Sequence, residues 1–253
     1  MMKIGVVIPS WSDERATKVA NNLIKYDTQE LAVSYQVAGA NRKEGRWGPV
    51  EAMAKGAVAL EGAGCDIIVF CHDDIEVYED WAIPISTIFE LKEDAGLVGF
   101  HGAKGLGSED IYRTRYQLNQ LARFNPMSNM IDAEQHGKKV TIPCEVATVD
   151  GFFMAVRTKT YYEVGGWEAC LRDKVVFHMY DSWMAMAARE HGYRTYLAPV
   201  SCRHSGGATE VGMAAEYEKW AKEQGFHDAS AVHTEGHTAF YERFRGQLPI
   251  RIR

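Results

Sequence analysis

Apolar and polar positions alternate in blocks along the first 75 residues of the chain. The stretches KIGVVIPS, LAVSYQVAG and CDIIVFCH are nearly continuous apolar runs, typical of strands buried on both faces of a sheet. Between them, DERATKVANNLIKYD and VEAMAKGAVALEGAG place apolar residues at helical spacing. Ser12 or Asp13 can cap the first helix, and Gly62 and Gly64 end the second. The order strand, helix, strand, helix, strand predicts a parallel sheet with helices packed on it.

The rest of the chain continues this pattern with one long interruption. We expect a helix in WAIPISTIFELKEDAG, broken near Pro84, and a strand in GLVGFHG. Residues 104–135 are polar and irregular, and a loop of this length in a compact domain is more often functional than idle. Beyond it we predict one or two strands in VTIPCEVATVDGFFMAVRT, a short helix ended at Gly165 and Gly166, and a helix in MYDSWMAMAAREHGY. A final strand is expected to end at His204.

Composition and charge narrow the class of protein. The chain has 253 residues, 46% of them hydrophobic, which is enough for a full core. Its net charge of −6 argues against a general nucleic-acid binder, which normally has a basic face. The five cysteines form no CxxC pair and suit reduced thiols, and no apolar run approaches the roughly 18 residues of a membrane span. We therefore expect a cytoplasmic globular protein without a transmembrane segment.

Polar side chains follow four of the predicted strands. They are Pro9 and Ser10, then His72, Asp73 and Asp74, then Asp150, and finally His204. Open parallel sheets bind ligands at the carboxyl ends of their strands. Carboxylate oxygens and imidazole nitrogens suit a divalent cation such as Mn2+ or Mg2+, which keeps coordination positions for substrate phosphates. The alternative is that Asp73 and Asp74 only cap the helix that follows.

Four segments of the chain, taken in order, match one known set of motifs. VVIPSWSDE is similar to VVIPTYNE, and IIVFCHDDIEV to a segment with a DxD motif. VDGFFMAVRTKTYYEVGGWEA resembles GxxMxVRRxxFxxVGGFDE, and MYDSWMAMAAREHGYRTYLAPVSCRH resembles EDxDLxxRxxxxGYRxxxxPxxxxxH. These are motifs of the nucleotide-sugar glycosyltransferases of family 2. The resemblance implies the GT-A fold, an α/β fold with a mostly parallel central sheet flanked by helices. It also implies transfer of a sugar from a nucleotide diphosphate to a hydroxyl acceptor.

The resemblance implies roles for residues on the donor side. The DxD positions fall on His72 and Asp74, so Asp74 is the firmer metal ligand and Asp73, between them, a donor contact. His204 matches a histidine that supplies a further metal contact, and the implied cofactor is Mn2+ or Mg2+. A UDP-sugar is the favoured donor, although YQVAGANR has no acid where many members read the uracil ring. The other implied donor contacts are Pro9, Ser10, Trp11, Glu14 and Gly151.

The acceptor side departs further from the family pattern. Tyr180 replaces the glutamate of the ED motif, while Asp181 matches the aspartate that acts as general base, and this implies inversion at the anomeric carbon. Trp183 replaces the second aspartate of EDxD. Trp167 and Asp150 are candidate acceptor contacts. The simpler alternatives are a core aromatic at Trp167 and a solvated helix carboxylate at Asp181.

Domain organisation and acceptor complete the expectations. We predict a GT-A domain in residues 1–211, with a nucleotide-sugar half to about 103 and a catalytic half from about 104, and a helical C-terminal extension in 212–253. A nucleotidyltransferase and a non-catalytic nucleotide- or sugar-binding module are the alternatives. The acceptor is a glycan, a lipid, a protein or a hydroxylated DNA base, and stable nucleic-acid binding is not expected. The tail histidines considered for zinc are His227, His233 and His237.

Overall fold

The computed structural model describes residues 2–10, 12–27, 34–38, 48–107, 123–131, 137–206 and 214–253. The strands are β1 (Ile4–Pro9), β2 (Ser34–Ala38), β3 (Ile67–Cys71), β4 (Ile75–Val77), β5 (Ala95–Gly99), β6 (His101–Leu106), β7 (Arg123–Ser128), β8 (Lys138–Lys139), β9 (Cys144–Val146), β10 (Thr148–Val149), β11 (Phe153–Arg157), β12 (Arg194–Leu197), β13 (Cys202–His204) and β14 (Ile250–Arg251). The helices are α1 (Asp13–Lys25), α2 (Pro49–Gly62), α3 (Ala82–Leu91), α4 (Thr158–Glu163), α5 (Gly166–Arg172), α6 (Tyr180–Glu190), α7 (Ala214–Glu223) and α8 (Ala229–Phe244).

The central sheet has seven strands in the order β2-β1-β3-β11-β5-β12-β9. Strands β2, β1 and β3 pair in parallel, as the alternating pattern predicts, with Val6 opposite Val69. β11 runs antiparallel to both β3 and β5, and β9 runs antiparallel to β12, which is parallel to β5. Five of the seven strands therefore point in one direction. The predicted α/β architecture with a mostly parallel central sheet flanked by helices is confirmed.

Side-chain alternation along β1 divides the core between the two faces of this sheet. Val6 points into the cluster that includes Leu23 of α1, whereas Val7 joins the cluster that includes Leu60 of α2. All four side chains are fully buried. Successive strand residues point to opposite faces, so a continuous apolar run is what a strand covered by helices on both sides requires.

A smaller sheet and a two-stranded ribbon complete the fold. The order of the smaller sheet is β10-β6-β7-β8, and β14 also pairs with β6. The ribbon joins β4 to β13, with His204 opposite Ile75. This register brings the end of β13 beside the residues that follow β3.

Several element boundaries differ from the sequence expectations. Pro84 lies in the first turn of α3, where a missing N–H is tolerated, so the helix is not broken there. Gly165 and Gly166 both have positive φ at the start of α5, and two helices, α4 and α5, are present where one was expected. The predicted final strand is two strands, β12 and β13, and the His-rich tail forms the helix α8.

The C-terminal residues pack onto the half of the protein that contains α6. Phe240 and Phe244 of α8 are fully buried in the same cluster as Trp183 of α6. The domain boundaries at 103 and 211 remain predictions. Within the part of the chain that the structure describes, no helix combines the length and the apolar character needed to cross a bilayer.

Candidate active site

The polar residues after β3 lie against two other strand ends. His72 N donates to Phe152 O at 2.9 Å, which ties the end of β3 to the turn before β11. Asp74 precedes β4, and the β4–β13 register places His204 next to it. His204 is at the end of a strand, as predicted, and the antiparallel ribbon brings that end to the end of β3.

Three side chains converge on one point. His204 Nε2 lies 3.2 Å from Asp74 Oδ1, His72 Nδ1 lies 3.4 Å from His204 Nε2, and His72 Nδ1 lies 4.0 Å from Asp74 Oδ1. Ligand atoms that share one ion at about 2.1 Å are about 3–3.5 Å apart, so the three separations are close to what one cation requires. Asp74 Oδ1 is also buried, without a hydrogen bond of normal geometry to any described residue. The donor set therefore fits a divalent cation.

The charge states of His72 and Asp74 also suit cation binding. Burial and the nearby His204 lower the pKa of His72, which favours the neutral ring that a metal ligand must have. Burial on its own would raise the pKa of Asp74, but the close approach and positive charge of His204 outweigh it and lower the pKa. The same contact raises the pKa of His204 despite its burial. Asp74 is thus ionised at neutral pH.

Asp73 faces the other way, toward β1 and α1. Ser10 Oγ donates to Asp73 Oδ2 at 2.5 Å, and Arg15 Nη2 donates to Asp73 Oδ1 at 2.8 Å. The structure thus brings together Ser10 and Asp73, two of the residues predicted to contact the donor. Glu14 is exposed in the first turn of α1, and Trp11 lies outside the described residues. Arg15 was not predicted, because an arginine in a charged helix turn has no distinguishing pattern.

A second charged cluster lies at the start of α6. Asp181 is only 7% exposed, and its Oδ2 accepts hydrogen bonds from Arg123 Nη2 at 2.5 Å and from Gly151 N at 2.8 Å. Arg123 Nη1 donates to Asp150 Oδ2 at 2.9 Å, so one guanidinium joins two carboxylates. Burial opposes ionisation of Asp150, but the charge of Arg123 dominates and lowers its pKa. Asp181 is therefore a buried, paired carboxylate and not a solvated one.

Tyr180 connects the two clusters. Its hydroxyl lies 2.7 Å from His72 Nε2, and the next residue is Asp181. A Cβ at position 151 would collide with the Tyr180 hydroxyl, so this approach explains why Gly151 is a glycine. The role of Gly151 as a donor contact stays a prediction.

Besides Arg15, sequence reasoning missed the functional candidates Arg123 and Tyr180. Arg123 belongs to a polar stretch without a recognisable motif, and its partners are 27 and 58 residues away. Tyr180 was noted only as a missing glutamate. Only the packing of α6 against the end of β3 pairs it with His72, across 108 residues.

Trp167 belongs to the core and does not form an acceptor platform. It is 0% exposed, and its ring contacts Phe70 edge-on at 5.0 Å and Tyr180 at 5.7 Å. The expectation that it stacks on an acceptor sugar is wrong because no face of the ring reaches solvent. The alternative, a core aromatic, is correct.

Truncation of Trp167 is expected to act on stability. Trp167→Ala should lower the free energy of unfolding by about 3–5 kcal/mol, because it removes a buried aromatic and leaves a cavity. Urea denaturation followed by circular dichroism measures the change. Leu91→Ala, at a side chain that is 76% exposed, is the control and should stay within about 0.5 kcal/mol. A normal midpoint for Trp167→Ala would contradict the core assignment.

The tail histidines do not assemble into a comparable group. His233 and His237 stack on α8 with ring centroids 4.3 Å apart, and His227 lies outside that helix beside Asp228. Across the described ranges, one group of histidine, cysteine, aspartate or glutamate side chains could hold a metal ion, and it consists of His72, Asp74 and His204. The zinc hypothesis for the tail has no support in these contacts.

Comparison with known proteins agrees with this architecture. The chain is similar in fold to GalNAc-T7, solved with UDP, GalNAc and Mn2+, with a TM-score of 0.55 and 11% identity over 96% of this chain and 58% of that one. It also matches the catalytic domain of Drosophila beta1,4-galactosyltransferase 7 in complex with xylobiose, with a TM-score of 0.45 and 11% identity over 83% of this chain and 73% of that one. No curated protein matches the sequence significantly.

A sequence profile gives the family directly. The profile described as "Glycosyltransferase like family" matches residues 49–224. This range contains both clusters, from His72 to His204, and makes up more than half of the chain. The chain therefore belongs to the glycosyltransferase like family and is an enzyme of that type.

Proposed function

We propose that this enzyme is a metal-dependent, inverting glycosyltransferase that moves a sugar from a UDP-sugar to a hydroxyl acceptor. The observation that supports it most is the connection between the two clusters through Tyr180. A cation-binding group and a buried carboxylate are joined through Tyr180, whose hydroxyl is 2.7 Å from His72. Sugar transfer needs a cation for the diphosphate leaving group and a carboxylate for the acceptor hydroxyl, close to each other.

The charge balance of the site supports metal dependence. The four carboxylates and two guanidinium groups of the site are Asp73, Asp74, Asp150, Asp181, Arg15 and Arg123. Buried charges are costly unless compensated, and this excess of negative charge matches one divalent cation. Asp74, His204 and His72 would hold Mn2+ or Mg2+. When bound, the ion would stabilise negative charge on the departing diphosphate.

Asp181 is the proposed general base. Its Oδ2 accepts two hydrogen bonds and its Oδ1 accepts one from Ser182 N at 2.6 Å, so the contacts of the described residues leave a lone pair on Oδ1. In the proposed reaction the acceptor oxygen bonds to the anomeric carbon as the bond from that carbon to the diphosphate breaks. Asp181 takes the hydroxyl proton, and the nucleoside diphosphate leaves with the bonding electrons. Attack from the face opposite the leaving group gives inversion.

The donor side is proposed from β1, α1 and Asp73. Ser10 and Arg15 hold the Asp73 carboxylate from two directions, which fixes it for a contact with the donor. UDP is favoured because a protein of similar fold was solved with UDP and Mn2+. The family match favours a glycosyltransferase over the nucleotidyltransferase and the binding module considered above.

The acceptor stays open among the classes named from the sequence. A DNA base would need a basic groove from residues 104–139 and the C-terminal arginines, and 108–122 and 132–136 lie outside the described residues. Of these arginines, Arg243 already pairs with Glu190 through contacts of 2.6 and 2.9 Å. That contact leaves Arg243 less available to a nucleic acid.

The donor and the metal requirement can be tested together. Nucleotide release should be measured from UDP-, GDP-, TDP- and CDP-sugars, with Mn2+ and with a chelator. We expect slow release of UDP that stops when the metal is removed, because the leaving diphosphate then lacks its counter-charge. Release that is unaffected by the chelator would contradict metal dependence. If no donor shows either release or metal-dependent binding by calorimetry, the proposed function is wrong.

A further inference from the structure

The two positions at which this chain departs from the acidic motifs of the family contact each other. His72 occupies the first DxD position and Tyr180 occupies the glutamate position of ED. His72 Nε2 and the Tyr180 hydroxyl form a hydrogen bond of 2.7 Å between the end of β3 and the start of α6. Two replacements that look unrelated in the sequence thus form one pair in the fold.

The two nitrogens of the His72 imidazole face different groups. Nδ1 faces His204 Nε2 at 3.4 Å and Asp74 Oδ1 at 4.0 Å, and Nε2 faces Tyr180. A neutral imidazole has one N–H and one free lone pair, and only the nitrogen with the lone pair can bind a cation. If Nδ1 is that nitrogen, the proton is on Nε2, and the Nε2–H group donates a hydrogen bond to the Tyr180 oxygen. Histidine ligands in metal sites regularly need such a partner for the second nitrogen.

Tyr180 is held firmly enough to select the tautomer. The residue is 7% exposed, and its ring packs edge-on against Trp167 at 5.7 Å. On the other side the absence of a side chain at Gly151 makes room for the hydroxyl. The phenol oxygen has lone pairs that can accept the N–H, and it lies 2.7 Å from Nε2.

We propose that Tyr180 is a positioning residue that keeps the proton of His72 on Nε2 and thereby makes Nδ1 a cation ligand beside Asp74 and His204. The inference rests on the proposed metal-dependent function. It adds that a histidine–tyrosine pair has taken the place of two carboxylates. Each replacement removes a negative charge, so the cluster binds a divalent cation with fewer charges and a more strictly oriented ligand.

Calorimetric titration with Mn2+ alone tests the proposal without relying on transfer activity. Tyr180→Phe keeps the ring in place and removes only the oxygen that accepts from His72. We expect it to weaken Mn2+ binding about 10–100-fold, which is typical when the partner of a ligating histidine is lost. Tyr161→Phe is the matched control, since it removes a buried hydroxyl that accepts from Trp167 N at 3.2 Å outside the metal cluster. Its Mn2+ affinity should equal that of the wild type.

A double-mutant comparison separates positioning from a general effect on folding. If Tyr180 acts through His72, then adding Tyr180→Phe to His72→Ala should change Mn2+ affinity less than about twofold. Equal losses in both backgrounds would overturn the proposal, because Tyr180 would then act on the fold. Wild-type affinity in Tyr180→Phe would overturn it as well, while leaving the proposed glycosyltransferase function intact. Absence of Mn2+ binding in the wild type would overturn both this inference and metal dependence.

Discussion

Asp181→Asn is expected to lower the rate of sugar transfer by about 10²–10⁴-fold, the usual contribution of a general base. The amide has nearly the shape of the carboxylate but cannot take the proton of the acceptor hydroxyl. Turnover with saturating donor and acceptor, once an acceptor is known, measures the effect on kcat. Before that, donor binding by calorimetry should be close to normal, since Asp181 contacts Arg123, Gly151 and Ser182 and not the cation ligands.

The control for this substitution needs the same chemical change away from the site. Asp173→Asn is suitable because its carboxylate also pairs with an arginine, Arg243 Nε at 3.3 Å, and accepts from Trp183 Nε1 at 2.8 Å. It should retain transfer within a few-fold. If Asp173→Asn and Asp181→Asn lost transfer activity to a similar extent, the loss would reflect the contribution of ion pairs around α6 to folding and not a role as general base. Full activity in Asp181→Asn would exclude it as the base.

Asp74→Asn is expected to weaken Mn2+ binding by more than about 100-fold and to abolish metal-dependent nucleotide release. This loss is larger than the roughly 10–100-fold typical when the partner of a ligating histidine is removed, because Asp74 is itself the anionic ligand of the group. Its Oδ1 lies within 4.0 Å of both histidine nitrogens, and the substitution leaves only two imidazole rings to hold the ion. Calorimetry with Mn2+ and the nucleotide-release assay measure the two effects separately.

Asp66→Asn is the corresponding control on the same strand. Asp66 comes just before β3, whereas Asp74 follows the other end of the strand. The Asp66 carboxylate accepts a hydrogen bond from Lys3 N at 2.8 Å. Its Mn2+ affinity should be unchanged. Wild-type Mn2+ affinity in Asp74→Asn would mean that the cation, if one binds, lies elsewhere. Loss of binding in both variants would point to the stability of β3.

The sequence predicted the fold well where the physical signal is local. The apolar runs of β1 and β3 reveal burial on both faces, because every side chain of such a strand must meet a helix or a neighbouring strand. Helix starts were also readable, as at Ser12, which caps α1 by accepting from Arg15 N. Predictions were weaker where strands are short, so β9, β10 and β11 appeared as one or two strands.

The site could be predicted only in part, because some of its residues have a local signal in the sequence and others do not. His72, Asp74 and His204 could be selected because they follow apolar strands, and the structure brings their ligand atoms within 4.0 Å. Trp167 could not be placed, since a buried aromatic and a stacking platform have the same letter in a sequence. Arg123 had no local signal, because its meaning depends on carboxylates supplied by distant elements.

The sequence by itself determined the class of fold, the family resemblance and the residue types available for chemistry. These properties depend on hydrophobic period and motif order, which are local along the chain. Only the tertiary structure decided which polar groups become partners. The antiparallel β4–β13 register sets His204 beside Asp74, and the packing of α6 sets Tyr180 beside His72. Such contacts join residues more than a hundred positions apart, and no periodicity of the chain encodes them.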